Sequence, residues 1–181
     1  MSSVRVVVGV CGGIASYKSA TLVSRLAQRG FDVSVVLTRN ALEFVGEATF
    51  SALCNRAPVV DGFDKRFPLG PHIELAEDLQ LLIIAPATAR MIGSCAQGLA
   101  DDVLATLYLQ ATCPVLMAPA MSTAMWEKPA VQRNVDQLKR DGVHFVGPES
   151  GWLSCRKIGA GRMSEPDSIL EASLDLLGHR S

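Results

Sequence analysis

The chain has 181 residues, of which 49% are hydrophobic and 19% are charged, and its formal net charge at pH 7 is −1. This composition excludes a disordered chain and indicates one globular domain, spanning 1–181, that buries its core without disulfides or metal. A charge this close to zero argues against a general attraction to nucleic acid or to an anionic membrane surface, and no apolar run reaches the roughly 20 residues of a membrane span.

Short apolar runs alternate with helical patterns along the chain. Continuous apolar runs are typical of strands that are buried on both faces of a parallel sheet, and a period near 3.6 residues is typical of helices. Strands are predicted over 4–10, 31–38, 79–86, 114–119 and 143–148. Helices are predicted over 16–30, 41–55, 88–97, 100–111, 123–141 and 167–177. Asp167 or Ser168 is the expected N-cap of the last helix.

The alternation of strands and helices predicts an α/β fold, a doubly wound parallel sheet in a flavodoxin- or Rossmann-like three-layer sandwich. Right-handed crossovers bring the loops after the strands to one edge of such a sheet, where ligands bind. The distinctive residues of this chain follow its strands: Gly12-Gly13, Thr38, Pro86-Ala87-Thr88 and Pro119-Ala120-Met121-Ser122. We therefore expect a single ligand site at this edge.

The stretch GVCGGIASYK joins the first strand to the first helix. Glycine allows a close backbone approach, and free N–H groups at a helix start attract phosphate, although an ordinary strand-to-helix turn would look similar. The spacing is not GxGxxG, and Thr38 stands where an NAD site would want an acidic residue. The pattern favours a mononucleotide over NAD. Two interpretations of 85–93 remain open: Thr88 simply caps the next helix, or the exposed amides of 87–90 line a flat ring.

Titratable and thiol residues are few. His72 follows a Gly- and Pro-rich loop (57–71, with room for a short strand) and is either a surface residue or a proton-transfer group, whereas His144 and His179 are interpreted as ordinary. The five cysteines contain no CxxC pair, which predicts neither disulfides nor a metal site and favours the cytoplasm.

The segment 151–166 is predicted to be a lid-like loop. Its cations, Arg156, Lys157 and Arg162, either bind an anionic substrate or simply face solvent.

Together these segments resemble the homo-oligomeric flavin-containing cysteine decarboxylases over nearly the whole chain. The matching segments are GGIAS (12–16), HIEL (72–75), PATARM (86–91), GLADDVL (98–104), PAMSTAMW (119–126), and Cys155 before GAGRM (159–163). The resemblance implies FMN as cofactor, with FAD less favoured. It implies a cofactor site made by Gly12, Gly13, Ile14, Ala15, Ser16, Thr38, Thr88, Ala89, Arg90, Met91 and Ala120. It also implies His72 and Cys155 as catalytic residues, Ser122, Met125 and Arg162 as substrate-binding residues, and a substrate-covering flap at about 149–166.

The activity implied by this resemblance is a flavin redox decarboxylation of a small anionic thiol substrate. The cysteinyl thiol is oxidised to a thioaldehyde, CO2 leaves, and the resulting enethiol is protonated and reduced. The expected substrate is 4'-phosphopantothenoylcysteine, converted to 4'-phosphopantetheine in coenzyme A biosynthesis. The alternatives are a peptide with a C-terminal cysteine, or a non-catalytic flavin-binding or regulatory role. The expected partners are copies of the chain, in a trimer or dodecamer, and a separate phosphopantothenate-cysteine ligase.

Two residues depart from the family pattern. Ser122 stands where the family has an Asn that binds the substrate carboxylate, and a hydroxyl offers one donor where an amide offers two. Losing a charge-assisted hydrogen bond costs on the order of 1.5–3 kcal/mol. Arg90 replaces a second Asn, and its cation lies near the flavin, clashes with it or turns toward a carboxylate.

Overall fold

The computed structural model describes residues 3–178, so the interpretation of His179 lies outside the described residues. Its centre is a parallel sheet of five strands in the order β2-β1-β3-β4-β5. These strands are β1 (Arg5–Val10), β2 (Asp32–Leu37), β3 (Leu81–Ala87), β4 (Val115–Pro119) and β5 (His144–Phe145). A separate antiparallel hairpin is formed by β6 (Glu149–Trp152) and β7 (Ile158–Arg162).

Helices cover both faces of the sheet. They are α1 (Ser16–Gln28), α2 (Glu47–Cys54), α3 (Pro71–Ala76), α4 (Ala89–Gln97), α5 (Val103–Gln110), α6 (Thr123–Trp126), α7 (Pro129–Arg140) and α8 (Pro166–Leu176). Alternate residues of β1 point to opposite faces, since Val6 and Val8 belong to the core under α1, α2 and α8, whereas Val7 belongs to the core under α4, α5 and α7. The predicted doubly wound, three-layer fold is confirmed.

The strand order positions the site. The chain leaves β1 for β2 on one side and reaches β3 on the other, in parallel register at Val10↔Leu37 and Gly9↔Ile84. In sheets of this order, ligands bind in the crevice where the direction of winding reverses, beyond the carboxyl ends of the strands. The turns after β1, β2, β3 and β4 therefore meet at one edge.

Two predicted helices are interrupted. The segment 41–55 contains a short 3-10 helix (Arg39–Glu43) and then α2, because the backbone is extended at Gly46. The segment 123–141 divides into α6 and α7 at Pro129, which lacks an N–H group and so occupies the first turn of the second helix. In 57–71 the only strand pairing among the described residues is the bridge between Val59 and Val36.

The prediction of a loop over 151–166 was wrong, because this segment contains most of the β6–β7 hairpin. Glycines at 151, 159 and 161 hid the strand pattern, since glycine is depleted in ordinary strands. The N-cap of the following helix is Glu165 instead of Asp167 or Ser168, because Pro166 begins the helix. Within residues 3–178, none of the helices has both the length and the apolar character needed to cross a membrane.

Two leucines on α5 provide a matched test of the core. Leu107 is fully buried, whereas Leu109 is 49% exposed on the same helix. We expect Leu107→Ala to lower the free energy of unfolding by about 2–5 kcal/mol, because it leaves a cavity. Leu109→Ala should cost much less. Urea titrations monitored by circular dichroism measure both, and equal losses in the two variants would contradict this assignment of the core.

Candidate active site

Three connected clefts lie at the carboxyl edge of the sheet. The histidine cleft, about 710 Å³, is lined by residues that include Thr38, Asn40, His72, Arg90, Asp101 and Asp102. The central cleft is lined by residues that include Gly12, Thr38, Thr88, Ala89, Arg90 and Met125. The hairpin cleft is lined by residues that include Gly13, Lys18, Ser122, Trp152, Cys155 and Arg162. Thr38 and Arg90 are shared by the first two clefts and Ala120 by the last two, so they form one continuous depression.

The glycine turn between β1 and α1 lies between the central and hairpin clefts. A Cβ atom at Gly12 would lie 2.5 Å from Cβ and 2.6 Å from the carbonyl oxygen of Asn40, so only glycine fits. The N–H groups of Gly12, Gly13 and Ile14 donate to no group of residues 3–178. The buried Ser16 hydroxyl shapes the turn by sharing its one proton between the carbonyl oxygens of Cys11 (2.9 Å) and Gly13 (2.5 Å).

Thr38 follows β2 at the floor of both the histidine and central clefts. It is 4% exposed, and its amide donates to the carbonyl oxygen of Val10 at 3.0 Å. In the described part of the chain, its hydroxyl oxygen has no hydrogen-bond partner. Because a buried hydroxyl without a partner costs about 1–3 kcal/mol, a ligand oxygen in the cleft would remove this penalty.

Thr88 and Arg90 begin α4. The Thr88 hydroxyl accepts the amide of Met91 at 3.4 Å and so caps the helix, while the Met91 side chain lies in the core. Arg90 lines the central cleft and forms ion pairs with Asp101 and Asp102. Of the three alternatives for Arg90, the structure therefore shows the third, in which the side chain points toward carboxylates. Asp102 also accepts the amide of Ala105 at 2.8 Å and caps α5.

His72 lies on α3, where it is half-buried in the histidine cleft. A Cβ at Gly70 would lie 3.2 Å from its ring carbon Cε1, and Gly70 has a positive φ of 98°. The Glu74 carboxylate accepts the amide of Leu69 at 2.8 Å and holds the preceding turn. Within one chain, His72 and Cys155 line different clefts.

The hairpin is seated on the loop after β4. Gly161 accepts the Met121 amide at 3.0 Å, and a Cβ atom at Gly161 would overlap the Met121 carbonyl oxygen. A Cβ at Gly159 would likewise overlap the Thr123 hydroxyl. Ser122 and Arg162 therefore line the same cleft, beneath an exposed Cys155 at the hairpin tip.

Lys18 also lines the hairpin cleft, and sequence reasoning did not identify it. It sits in the predicted first helix, where a lysine is expected to face solvent, and the only available signal was its place just after the glycine turn. Its exposed fraction is only 8%.

Burial distinguishes the thiols. All five cysteines lie in the described range and are free. Burial raises the pKa of Cys11, under the central cleft, from its ordinary 9.0 to about 12, and it raises the pKa of Cys95 to about 12 as well. Between residues 3 and 178, no group of three or more His, Cys, Asp or Glu side chains is arranged to hold a metal ion.

The fold and the position of these clefts define a flavodoxin-like α/β protein with its ligand crevice at the switch point of the sheet. The flavoprotein family matches residues 1–178, and the chain belongs to that family, as the sequence predicted. It is 45% identical over 163 residues to the coenzyme A biosynthesis bifunctional protein CoaBC of Bacillus subtilis, covering 90% of this chain and 40% of that protein. The chain thus spans about 40% of the length of the curated relatives it matches.

Two solved structures are also similar. The FMN-dependent cysteine decarboxylase SpaF is 33% identical with a TM-score of 0.80, over 94% of this chain and 97% of that one. A mutant PPC decarboxylase in complex with pantothenoylaminoethenethiol is 27% identical with a TM-score of 0.86, over 99% of this chain and 100% of that one.

The thiols give a test of the site's accessibility. At about pH 8 we expect a maleimide to label Cys155 rapidly, because this thiol is exposed and the reagent can reach it. Cys11 and Cys95 should stay unlabelled until the protein is unfolded, since their pKa of about 12 keeps them as thiols. Peptide mass spectrometry locates the label. Labelling of Cys11 in the folded protein at the rate of Cys155 would contradict the buried position of Cys11.

Proposed function

We propose that this chain is an FMN-dependent cysteine decarboxylase that converts 4'-phosphopantothenoylcysteine into 4'-phosphopantetheine and CO2 in coenzyme A biosynthesis. The observation that carries the proposal is the buried Thr38 hydroxyl, which lacks a partner in residues 3–178 and lines the same cleft as Gly12, where a Cβ atom would not fit. The coenzyme A protein of Bacillus subtilis and the solved cysteine decarboxylases support the same reaction.

The residues of the central cleft fit FMN. The close approach at Gly12, the free amides of the turn and the N-terminus of the 13-residue α1 suit a phosphate, and the Thr38 hydroxyl offers it a further hydrogen bond. Thr88, Ala89 and Ala120 line the cleft beside them and would hold the ring. The sequence has one glycine turn and no adenosine-binding signature, which favours FMN over FAD. When bound, FMN supplies the two-electron oxidation of the substrate thiol and the later return of those electrons.

The chain's own residues handle protons and position the substrate. His72 would hold or accept a proton near the substrate carboxyl and thiol, and Cys155 would deliver a proton late in the cycle. Ser122 and Arg162 would bind the substrate, and the hairpin over them would exclude water. The net reaction breaks one carbon–carbon bond, releases CO2 and adds one proton to the carbon that lost it. The complete cycle is neither a net oxidation nor a net reduction, because FMN returns the electrons that it takes.

The assembly is proposed to be a homo-oligomer, a trimer or a dodecamer, of single flavoprotein domains in the cytoplasm. Because His72 and Cys155 line different clefts of one chain, a neighbouring copy would complete the site. Met125, 46% exposed, and the half-buried Met121 and Trp126 would contact the ring or that copy. A phosphopantothenate-cysteine ligase would supply the substrate.

A second candidate substrate is a peptide with a C-terminal cysteine. The hairpin cleft carries an exposed apolar rim, made by Ile14, Tyr17 and Trp152, which suits peptide side chains. The cationic Lys18 and Arg162 in the same cleft favour the small phosphorylated thiol instead.

Two glycines test the cofactor site. Gly12→Ala should reduce the FMN retained by the purified protein at least several-fold, because its Cβ would push the turn away from Asn40. Gly46→Ala is the control, since nothing lies within 4 Å of its Cβ position and Gly46 does not line the three clefts. The yellow flavin absorbance per mole of protein measures both. Full retention in Gly12→Ala, or a colourless parent that takes up no added FMN, would contradict the proposed site.

Turnover tests the function. We expect CO2 release from phosphopantothenoylcysteine by the parent, and His72→Asn should keep its flavin while kcat/KM falls about 100- to 10,000-fold. His144→Asn, an exposed histidine on β5, is the control and should be unchanged. A His72→Asn variant as active as the parent would remove His72 from proton transfer. Release only from a cysteine peptide would favour the second candidate, and no release with bound FMN would favour a non-catalytic role.

A further inference from the structure

We propose that Glu165 is a positioning residue: held by Lys18, it fixes the Arg162 guanidinium in the hairpin cleft so that Arg162 receives an oxyanion of the substrate. The inference rests on the proposed function and adds two residues, Lys18 and Glu165, to the site.

One carboxylate oxygen joins three elements. The Lys18 ammonium on α1 donates to Glu165 Oε1 at 2.8 Å and to the Met163 carbonyl oxygen at 3.2 Å. Arg162, at the end of β7, donates through Nη2 to the same Glu165 oxygen. Glu165 itself is the residue before α8. The two cations are therefore held on one anion between α1, the hairpin and α8.

Arg162 is also held sterically. A Cβ at Gly151 would lie 3.1 Å from both Cδ and Nη1 of Arg162, so the arginine side chain packs closely against β6 at this glycine. With Nη2 on Glu165 and its stem against Gly151, the guanidinium has few orientations left. It remains 40% exposed, so some of its five N–H donors stay available to a ligand.

Glu165 does not use its carboxylate as helix caps usually do. It is the N-cap of α8, yet its side chain makes no capping hydrogen bond to that helix. The hydrogen bond from Lys18, with a smaller contribution from Arg162, lowers the pKa of Glu165 and keeps it ionised. The side chain is therefore committed to the two cations.

The charges favour an anion in the cleft. Lys18 and Arg162 line it, whereas Glu165 contacts both without lining it. Two cations on one carboxylate leave one positive charge beside the Ser122 hydroxyl. Because Lys18 is 8% exposed and held by two acceptors, the half-exposed Arg162 is the cation that can meet a ligand. The planar guanidinium group can donate two parallel hydrogen bonds to two oxygens of a carboxylate or a phosphate.

The test compares steady-state kinetics of the flavin-loaded parent with Glu165→Gln. Losing the fixed orientation should raise KM for phosphopantothenoylcysteine about 10-fold with a smaller change in kcat. Glu165→Asp, which keeps the charge with a shorter reach, should lie between the two. If Glu165 only reduced the cleft's charge, Glu165→Gln would lower KM for this anion. An unchanged or lower KM would overturn the proposal.

Two further variants separate structure from positioning. Lys18→Met leaves Glu165 to neutralise Arg162 alone and should also raise KM, so it tests the proposal if Glu165→Gln folds poorly. Asp167→Asn removes a carboxylate two residues away, whose partner Arg25 is outside the hairpin cleft. It should leave KM unchanged, and a rise equal to that of Glu165→Gln would overturn the proposal.

The substrate without its phosphate identifies the oxyanion. If the KM effect of Glu165→Gln persists with pantothenoylcysteine, Arg162 receives the carboxylate, and if it disappears, Arg162 receives the phosphate. If the parent turns over neither compound, the proposed function is wrong, but the inference about Glu165 can still be tested by binding.

The binding test is limited trypsin digestion. Phosphopantothenoylcysteine should protect the hairpin tip from cleavage at Arg156 and Lys157. Weaker protection in Glu165→Gln supports the inference, whereas no protection in the parent, or equal protection in both, overturns it.

Discussion

The reversal of winding between β1 and β3 is the constraint on which the site depends. Because β2 and β3 flank β1 on opposite sides, the turns after these strands diverge to the two faces of the sheet and leave a crevice between them. The crevice stays narrow because Gly12 lies against the backbone of Asn40, which follows β2. That contact brings the free amides of the glycine turn and the Thr38 hydroxyl to the same depression. Any larger residue at position 12 would widen the crevice at the point where the two turns meet.

Charge pairing gives the neighbouring clefts opposite character, although the whole chain is almost neutral. In the histidine cleft, Arg90 is held by two carboxylates, so its cation is fully neutralised within the protein. In the hairpin cleft the cations outnumber the carboxylates, since Lys18 and Arg162 share the single carboxylate of Glu165. An anionic ligand would therefore be attracted toward the hairpin cleft. Arg90 is already paired with two carboxylates, so it attracts such a ligand less.

The sequence predicted the sheet and its switch-point residues because buried parallel strands are continuous apolar runs, and Thr38 and the glycines interrupt them where the strands end. It could not predict that Arg90 turns toward Asp101 and Asp102, since that choice depends on how α4 packs beside the start of α5. The hairpin was missed for a related reason. Its glycines are present because Met121, Thr123 and Arg162 approach the backbone closely, and such tertiary contacts leave no periodic pattern in the sequence.

The two buried hydroxyls without partners in residues 3–178 differ in what can satisfy them. Thr38 lines a cleft, so an entering ligand reaches its oxygen directly. Thr123 lies under Gly159 of the hairpin, where the glycine leaves no side chain to hydrogen-bond with it. Each such group costs about 1–3 kcal/mol. At Thr38 the cost favours binding, whereas at Thr123 it opposes the docking of the hairpin. The packing of the hairpin against the loop after β4 therefore depends on the Met121–Gly161 hydrogen bond and on the ion pairs of Glu165. These ion pairs join Arg162, the last residue of the hairpin, to Lys18 on α1.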